Sequence, residues 1–434
     1  MKIHSIGINN FRGIEHLDLD LDRPFTLLVG DNGSGKTSIL SAVSVALGIW
    51  HVSKIVSGAK QWRNIMDHEI RELRKPDENG EHQFLEAGEV LITATGAAGE
   101  HAPHTWSRRK RARKSRTVDL WAKKIVTDIE AVVAGRDAQK EPLPLLAHYG
   151  AGRAWLPSNE REFPDLSGDL KARRADGYYD CLNERIRVKD ILQWFILQAA
   201  ARDEHGKFSP AFEAVRLALK VGIPGVDEIY WDRFKREVVV SIRGVAQSFT
   251  NLSDGQRTMA ATIADMAIRA VTLNPHLLGG NGHAHPEEVL KQTPGVVLID
   301  EVDVHLHPDW QRSVVRDLME TFPKVQFICS SHSPQVFGEL PKENILVHSA
   351  KSGKWQHPSR SLGVDSSRIL DEEMDASSAN ADFLKKKGEL AEVIEKEDFA
   401  QAESLIRSLS ATVGEDDPDI TRARTLIAFL QDTK

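Results

Sequence analysis

The nine residues GDNGSGKTS, at 30–38, limit what this chain can fold into more than any other stretch. They match G-x-x-x-x-G-K-[ST], which a chain of this length meets by chance with a probability on the order of 1%. The run follows an apolar stretch, FTLLVG at 25–30, that suits a buried strand. It precedes Thr37–Leu47, where Ile39, Leu40, Val43 and Leu47 share one helical face. Strand, glycine turn and helix start in that order build a nest of main-chain N–H groups for phosphate, helped by the helix dipole. Gly30, Asp31, Asn32, Gly33, Ser34, Gly35 and Ser38 form the nest, and Lys36 is expected to reach the β- and γ-phosphates. Thr37 is expected to offer its hydroxyl to Mg²⁺. ATP and Mg²⁺ are therefore the expected ligands.

Three further segments complete such a site. GVVLIDE at 295–301 is an apolar strand ending in two acids. Carboxylates at the carboxyl end of a parallel strand sit where ligands bind in α/β sheets. Asp300 is expected to hold Mg²⁺, and Glu301 to polarise the attacking water. NLSDGQRT at 251–258 opens a helix to Leu273, so Ser253, Asp254, Gly255 and Gln256 form a second helix start suited to an anion. CSSHSPQV at 329–336 follows another apolar strand and carries His332.

Here the chain resembles a family. L-S-D-G-Q is similar to the signature L-S-G-G-Q of ABC-type ATPases, with Asp254 at the position usually held by Gly. The resemblance implies that Ser253–Gln256 of one copy cap the γ-phosphate held by another, in a head-to-tail dimer or larger assembly. It implies a γ-phosphate sensor at His332. NNFRGIEHLDLDL at 9–21 resembles the first strand pair of RecF and SMC ATPases, which brings Arg12 towards the phosphates. EVDVHLHPDWQ at 301–311 resembles the segment after the acids in RecF-like and OLD-like ATPases, with Asp303 beginning the loop that crosses the dimer. His305 and His307 have metal-ligand spacing but no third ligand, and read as packing or interface groups. LAHYGAGR at 146–153 stands where the family has a Mg²⁺-contacting glutamine; Tyr149 and Arg153 are the candidates to replace it.

Strands alternating with helices predict an α/β fold. The expected architecture is an ABC-ATPase head: a mixed N-terminal β lobe plus a parallel P-loop core sheet, with a helical lid insertion and an α-helical C-terminal tail. Residues 1–350 form the ATPase domain, 51–145 an insertion with Ile65–Leu73 helical, and 154–250 a lid and hairpin. Residues 351–434 form the tail.

Charge is uneven. The net formal charge is −7, yet Asp365–Lys434 alone carries 17 acidic and 9 basic residues, a balance of −8. SRRKRARKSR at 107–116 holds seven cations and no acid. Arg108, Arg109, Lys110, Arg111, Arg113, Lys114 and Arg116 are therefore candidate DNA contacts. A solvated hairpin and a docking site for an acidic tail are the alternatives. The tail's apolar stripes, Phe399–Leu409 and Ile420–Leu430, suit a partner, another copy or the chain's own ATPase domain.

Several classes drop out. The FRGI start and the HLHP segment argue against a transporter subunit. The lid is too short, and lacks the heptads, for a long coiled-coil ATPase. No D-x-D cluster suggests a nuclease centre in the tail. The two cysteines, Cys181 and Cys329, are far apart and fit neither a zinc ribbon nor a disulfide framework. No leader-like or membrane-length apolar run is visible, so a cytoplasmic location is expected. What remains resembles the compact ATPases of Septu anti-phage systems (PtuA-type). That resemblance implies a separate HNH nuclease partner (PtuB-like), regulated by nucleotide state. A RecF-like repair ATPase and a nucleotide-sensing scaffold with little turnover are the alternatives.

Overall fold

The computed structural model describes residues 1–52, 63–76, 82–134, 140–153, 173–235, 237–279, 285–349, 351–374 and 381–432. The chain divides into two compact units, Met1–Val364 and Asp365–Lys434.

The first unit opens with an antiparallel hairpin, β1 (Lys2–Phe11) and β2 (Ile14–Asp20). Ile3, Ile6, Ile8 and Phe11 of β1 are buried. β3 (Phe25–Val29) is buried throughout and feeds the glycine loop and α1 (Lys36–Leu47). β4 (Glu72–Pro76) and β5 (His82–Glu86) form a small ribbon. β6 (Val90–Ala97), β7 (His104–Lys110) and β8 (Val118–Leu120) then pair back onto β1. The lobe's sheet runs β2-β1-β6-β7-β8, with every pairing antiparallel. Residues of 51–145 thus supply the middle of that sheet instead of standing apart from it.

After α2 (Lys123–Ala134), β9 (Leu145–Tyr149) enters the core sheet. Residues 154–172, where the lid was expected to begin, lie outside the described residues. Next come α3 (Val188–His205), α4 (Pro210–Gly222) and three strands, β10 (Val226–Asp232), β11 (Glu237–Ile242) and β12 (Val245–Ser248), where sequence suggested a hairpin. The signature helix α5 (Asp254–Leu273) and α6 (Pro286–Gln292) lead to β13 (Gly295–Ile299). The unit continues through α7 (Pro308–Thr321), β14 (Val325–Ser331), α8 (Pro334–Phe337), β15 (Ile345–Ser349) and β16 (Lys354–Gln356).

The core sheet runs β16-β15-β3-β14-β13-β9, parallel except for β16. β3, β9, β13 and β14 are buried on both faces, so they read as continuous apolar runs. α1 packs against strands of both sheets. It is therefore buried almost all round, Ser41 and Ser44 included, and not on one stripe as the sequence suggested.

Ile65–Leu73 is not a helix. Asp67–Glu69 make one tight turn and β4 begins at Glu72. Tertiary demand explains this. Glu69 O accepts from Arg12 N at 2.7 Å, and Ile70 bridges to Phe11. A continuous helix would withdraw both from β1.

The second unit holds α9 (Ser366–Glu372), α10 (Ala381–Glu395), α11 (Phe399–Val413) and α12 (Pro418–Asp432). The apolar stripes of the last three close on one another. Leu390, Ile394, Ala402, Ile406, Leu409, Ile420 and Ile427 form the core. The stripes are a small bundle's interior, which none of the sequence readings anticipated.

Two buried histidines make the first unit acid-sensitive. Burial depresses His148 to about 3, aided by Arg63 and Arg12, and His51 to about 4. Both are neutral when folded, and unfolding restores a value of about 6.5. The unfolded chain therefore binds more protons as pH falls below that value, and stability falls with it; above it the effect is flat. Between pH 7 and 5 each histidine should cost about 2 kcal/mol of stability. His148→Leu is expected to lessen the fall of the unfolding midpoint over that range. An identical pH slope in the variant refutes the assignment.

Candidate functional site

The glycine loop owes its shape to backbone freedom. Gly33 and Gly35 have φ of +83° and +98°, where a side chain is strained. Gly35 caps α1, so the first N–H groups of that helix point into the loop. Lys36 Nζ donates to Gly30 O at 2.7 Å and Asp31 O at 3.0 Å, which holds the ammonium within the loop. Burial pulls its pKa down, opposed by Asp300 and Glu301.

Sheet order brings the acids to this loop. β14 lies between β3 and β13, so Ser330 at its end stands beside Asp300. Thr37 Oγ1 donates to Asp300 Oδ2 at 2.7 Å, and Ser330 Oγ to Asp300 Oδ1 at 2.5 Å. Glu301 N donates to Ser330 Oγ at 2.8 Å. Glu301 itself is left-handed, with φ of +48°. A cavity of about 360 Å³ is bounded by Asn32–Ser38, Asp300, Glu301, His332, Gly13 and Ile14. The expected catalytic pair, Glu301 and His332, thus shares one cavity with the loop and with Asp300.

This donor set fits a magnesium nucleotide. Thr37 and Asp300 offer hard oxygens side by side, as Mg²⁺ prefers. The Ser34 hydroxyl is buried without a partner among the described residues, and the space beside Gly33 is open.

Arg12 departs from expectation. Its guanidinium donates to the buried Glu69 at 2.8 Å and lines a neighbouring cavity of about 490 Å³. Arg63 shares Glu69 at 2.6 Å. The residues after it, Gly13 of the turn and Ile14 at the start of β2, line the phosphate cavity instead. Gly30 and Asp31 contribute carbonyls to Lys36 and do not line that cavity.

The signature stands elsewhere in the chain. Ser253 caps α5, its Oγ accepting from Gln256 N at 3.3 Å while Gln256 Oε1 accepts from Ser253 N at 3.1 Å. Asp254 pairs with Arg257. Ser253, Gly255 and Gln256 line a separate cavity of about 330 Å³ with Arg243, His305, His307 and Trp310. A Cβ on Gly255 would meet His305 O at 2.2 Å, so the loop after the acids packs directly on the signature helix. His307 caps α7, its Nδ1 accepting from Asp309 N at 3.3 Å.

Neither candidate for the missing glutamine reaches the phosphate cavity. Tyr149 donates its hydroxyl to Asp265 at 2.7 Å. Arg153 is buried against main-chain carbonyls of Asp300 and Glu301.

The basic tract is largely spoken for. Arg108 is 1% exposed and donates to Asp119, Val45 O and Asn64 Oδ1. The Lys110 ammonium, also buried, bonds Ser115 O at 2.5 Å and Asp67 at 2.9 Å. These two cannot contact DNA. Arg109 lies 3.9 Å from Glu89, and Arg113 pairs with Glu72 and Glu86. Arg111, Lys114 and Arg116 are exposed. Sequence reasoning did not find Ser330, Gly13 or Ile14. A serine ending an otherwise apolar strand was the available signal for the first.

Fold and site together define an ATP-binding ATPase of the ABC type. The chain belongs to the RecF/RecN/SMC N terminal domain family, which it matches over residues 2–355. It is similar to the Retron Ec83 probable ATPase of Escherichia coli, at 24% identity over 98% of this chain and 86% of that one. It is similar to the Septu protein PtuA of Bacillus mycoides (strain KBAB4), at 24% identity over 76% of this chain, spanning 38% of that protein. Among solved structures, the SMC head domain from Thermotoga maritima aligns with a TM-score of 0.42 and 14% identity, over 84% of this chain and 100% of that one. Among the described residues no helix is long and apolar enough to cross a membrane.

Proposed function

We propose that this chain hydrolyses ATP in a head-to-tail pair or larger assembly, and that its nucleotide state regulates a partner nuclease in anti-phage defence. One observation carries the assembly. Two helix starts suited to phosphate, those of α1 and α5, open into different cavities of the same chain. Each is half of a triphosphate site, and a second copy supplies the other half.

In this reading the loop N–H groups and Lys36 bind the β- and γ-phosphates. Thr37 and Asp300 would hold Mg²⁺, whose charge stabilises the triphosphate. Glu301 orients the attacking water and accepts its proton. His332 hydrogen-bonds the γ-phosphate, and Ser253 with the α5 N-terminus of the second copy caps it. Gly13 and Ile14 bound the cavity on the lobe side.

The defence role is supported by similarity to the Septu protein PtuA and the Retron Ec83 probable ATPase. The partner is an HNH-type nuclease. The test is to co-purify the chain with an HNH protein encoded beside it and assay DNA cleavage under ATP and under ADP. The two nucleotides are expected to differ in their effect by about tenfold or more. Equal cleavage in both states ends the regulatory reading while leaving the ATPase intact. Any DNA contact by the basic tract falls to the exposed Arg111, Arg113, Lys114 and Arg116 and the partly exposed Arg109.

A further inference from the structure

Arg153 is a deeply buried cation of the first unit that the mechanism above does not use. It ends the turn after β9, next to the strand that carries the acids. That turn is pinned from both sides: Gly150 N donates to Glu184 O, and Ile186 N to Arg153 O, each at 2.8 Å. A Cβ on Gly150 would stand 2.9 Å from Glu184 Cβ, so the close approach needs glycine.

The Arg153 side chain is 2% exposed. Its partners are carbonyls, not carboxylates. Nη1 donates to Asp300 O at 2.8 Å and Gly150 O at 3.2 Å, and Nη2 to Glu301 O at 3.3 Å. Nε is buried without a partner. Burial draws the pKa to about 10, so the group stays charged at neutral pH. A buried cation bonded, among the described residues, only to main chain is costly. What it grips here is a point where backbone is both strained and chemically important. Glu301 is left-handed, with φ of +48°, a region that strains a residue carrying a side chain.

We propose that Arg153 is a positioning residue for ATP hydrolysis, fixing the main chain of Asp300 and Glu301 and so aiming the Glu301 carboxylate. It stands where the family places its glutamine, yet acts on the acids from behind and not on the metal. Ser330 holds the same two residues from the opposite strand. Strand pairing, Ser330 and Arg153 together leave the acid pair one conformation. The proposal rests on Glu301 being the residue that handles water.

The experiment compares Arg153→Met, Arg153→Lys and Glu301→Gln in the full-length chain, with nucleotide affinity from a fluorescent ATP analogue and turnover from phosphate release. Arg153→Met is expected to leave affinity within a few-fold while lowering kcat by about a hundredfold, the cost of a small misplacement. Arg153→Lys keeps the charge and one or two of the bonds, and is expected to recover at least about tenfold of that loss. In a Glu301→Gln background, Arg153→Met should change the residual single-turnover rate by less than about twofold, because both act through one carboxylate.

Losses that multiply in the double variant overturn the proposal. So does a kcat that Arg153→Met leaves unchanged, or a loss of affinity and folding that Arg153→Lys does not repair. If Glu301→Gln alone turns over like the parent, the role of Glu301 falls and this proposal with it. If Glu301→Gln is inactive and Arg153→Met is not, only the positioning role falls.

Discussion

Exchanging Glu301 for glutamine is expected to cut steady-state ATP turnover by about a thousandfold, the range removed with a general base. The amide fills the same space at the mouth of the same cavity, so binding should survive. Thr37, Asp300 and Ser330 keep their bonds to one another, because the Glu301 side chain takes no part in them. Undiminished binding with arrested hydrolysis should trap the triphosphate. In a composite site it should also trap the pair of chains, seen as an ATP-dependent doubling of mass by light scattering. Turnover within a few-fold of the parent would remove Glu301 from the chemistry. Arrested turnover without a change in mass would leave the chemistry standing and remove the shared site.

Complementation gives the second large effect. Lys36→Ala removes the ammonium from the loop, and Ser253→Arg places a bulky cation on an exposed helix cap. Lys36 is buried, but its ammonium bonds only loop carbonyls and not the apolar core, and Ser253 is exposed, so both chains should fold. Each alone is expected to lose at least about a hundredfold in turnover, the scale of deleting one preorganised donor to developing charge. Mixed in equal amounts, half of the pairs hold one of each. Such a pair has one site with both defects and one with neither. About a quarter of the parental turnover should return. A mixture as inactive as its components would show that loop and signature of the same chain serve the same phosphate, against the separation of their cavities.

The parts legible from sequence were those with a local physical cause. Glycines at 33 and 35 announce left-handed backbone, and Ser253 with Gln256 announces a capped helix. A continuous apolar run ending in Asp300 and Glu301 announces a buried strand. The parts that were hidden depend on which strand lies beside which. Ser330 meets Asp300 only because β14 is inserted between β3 and β13, and Arg153 meets the acids only because β9 flanks β13.

Arg12 is a similar case. Its partner, Glu69, sits in a segment whose periodicity pointed to a helix, and only the pairing of Ile70 with Phe11 reveals otherwise. The basic tract misled for another reason. Seven cations within nine residues look solvated, yet in a strand alternate residues share a face. Trp106, Arg108 and Lys110 therefore turn inward together. In the tail the stripes were visible, but periodicity does not say what a stripe packs against, and α10–α12 pack against one another.

The close approach of Gly255 to the His305 carbonyl has a mechanical meaning. No side chain fits between them, so the loop after the acids and the signature helix meet backbone to backbone. In the proposed head-to-tail pair, one end of this contact would carry the chain's own acids and the other would rest on its neighbour's triphosphate. A displacement of the loop beyond Glu301 would then pass through backbone contact to the signature helix and, in that pair, towards the neighbour's nucleotide.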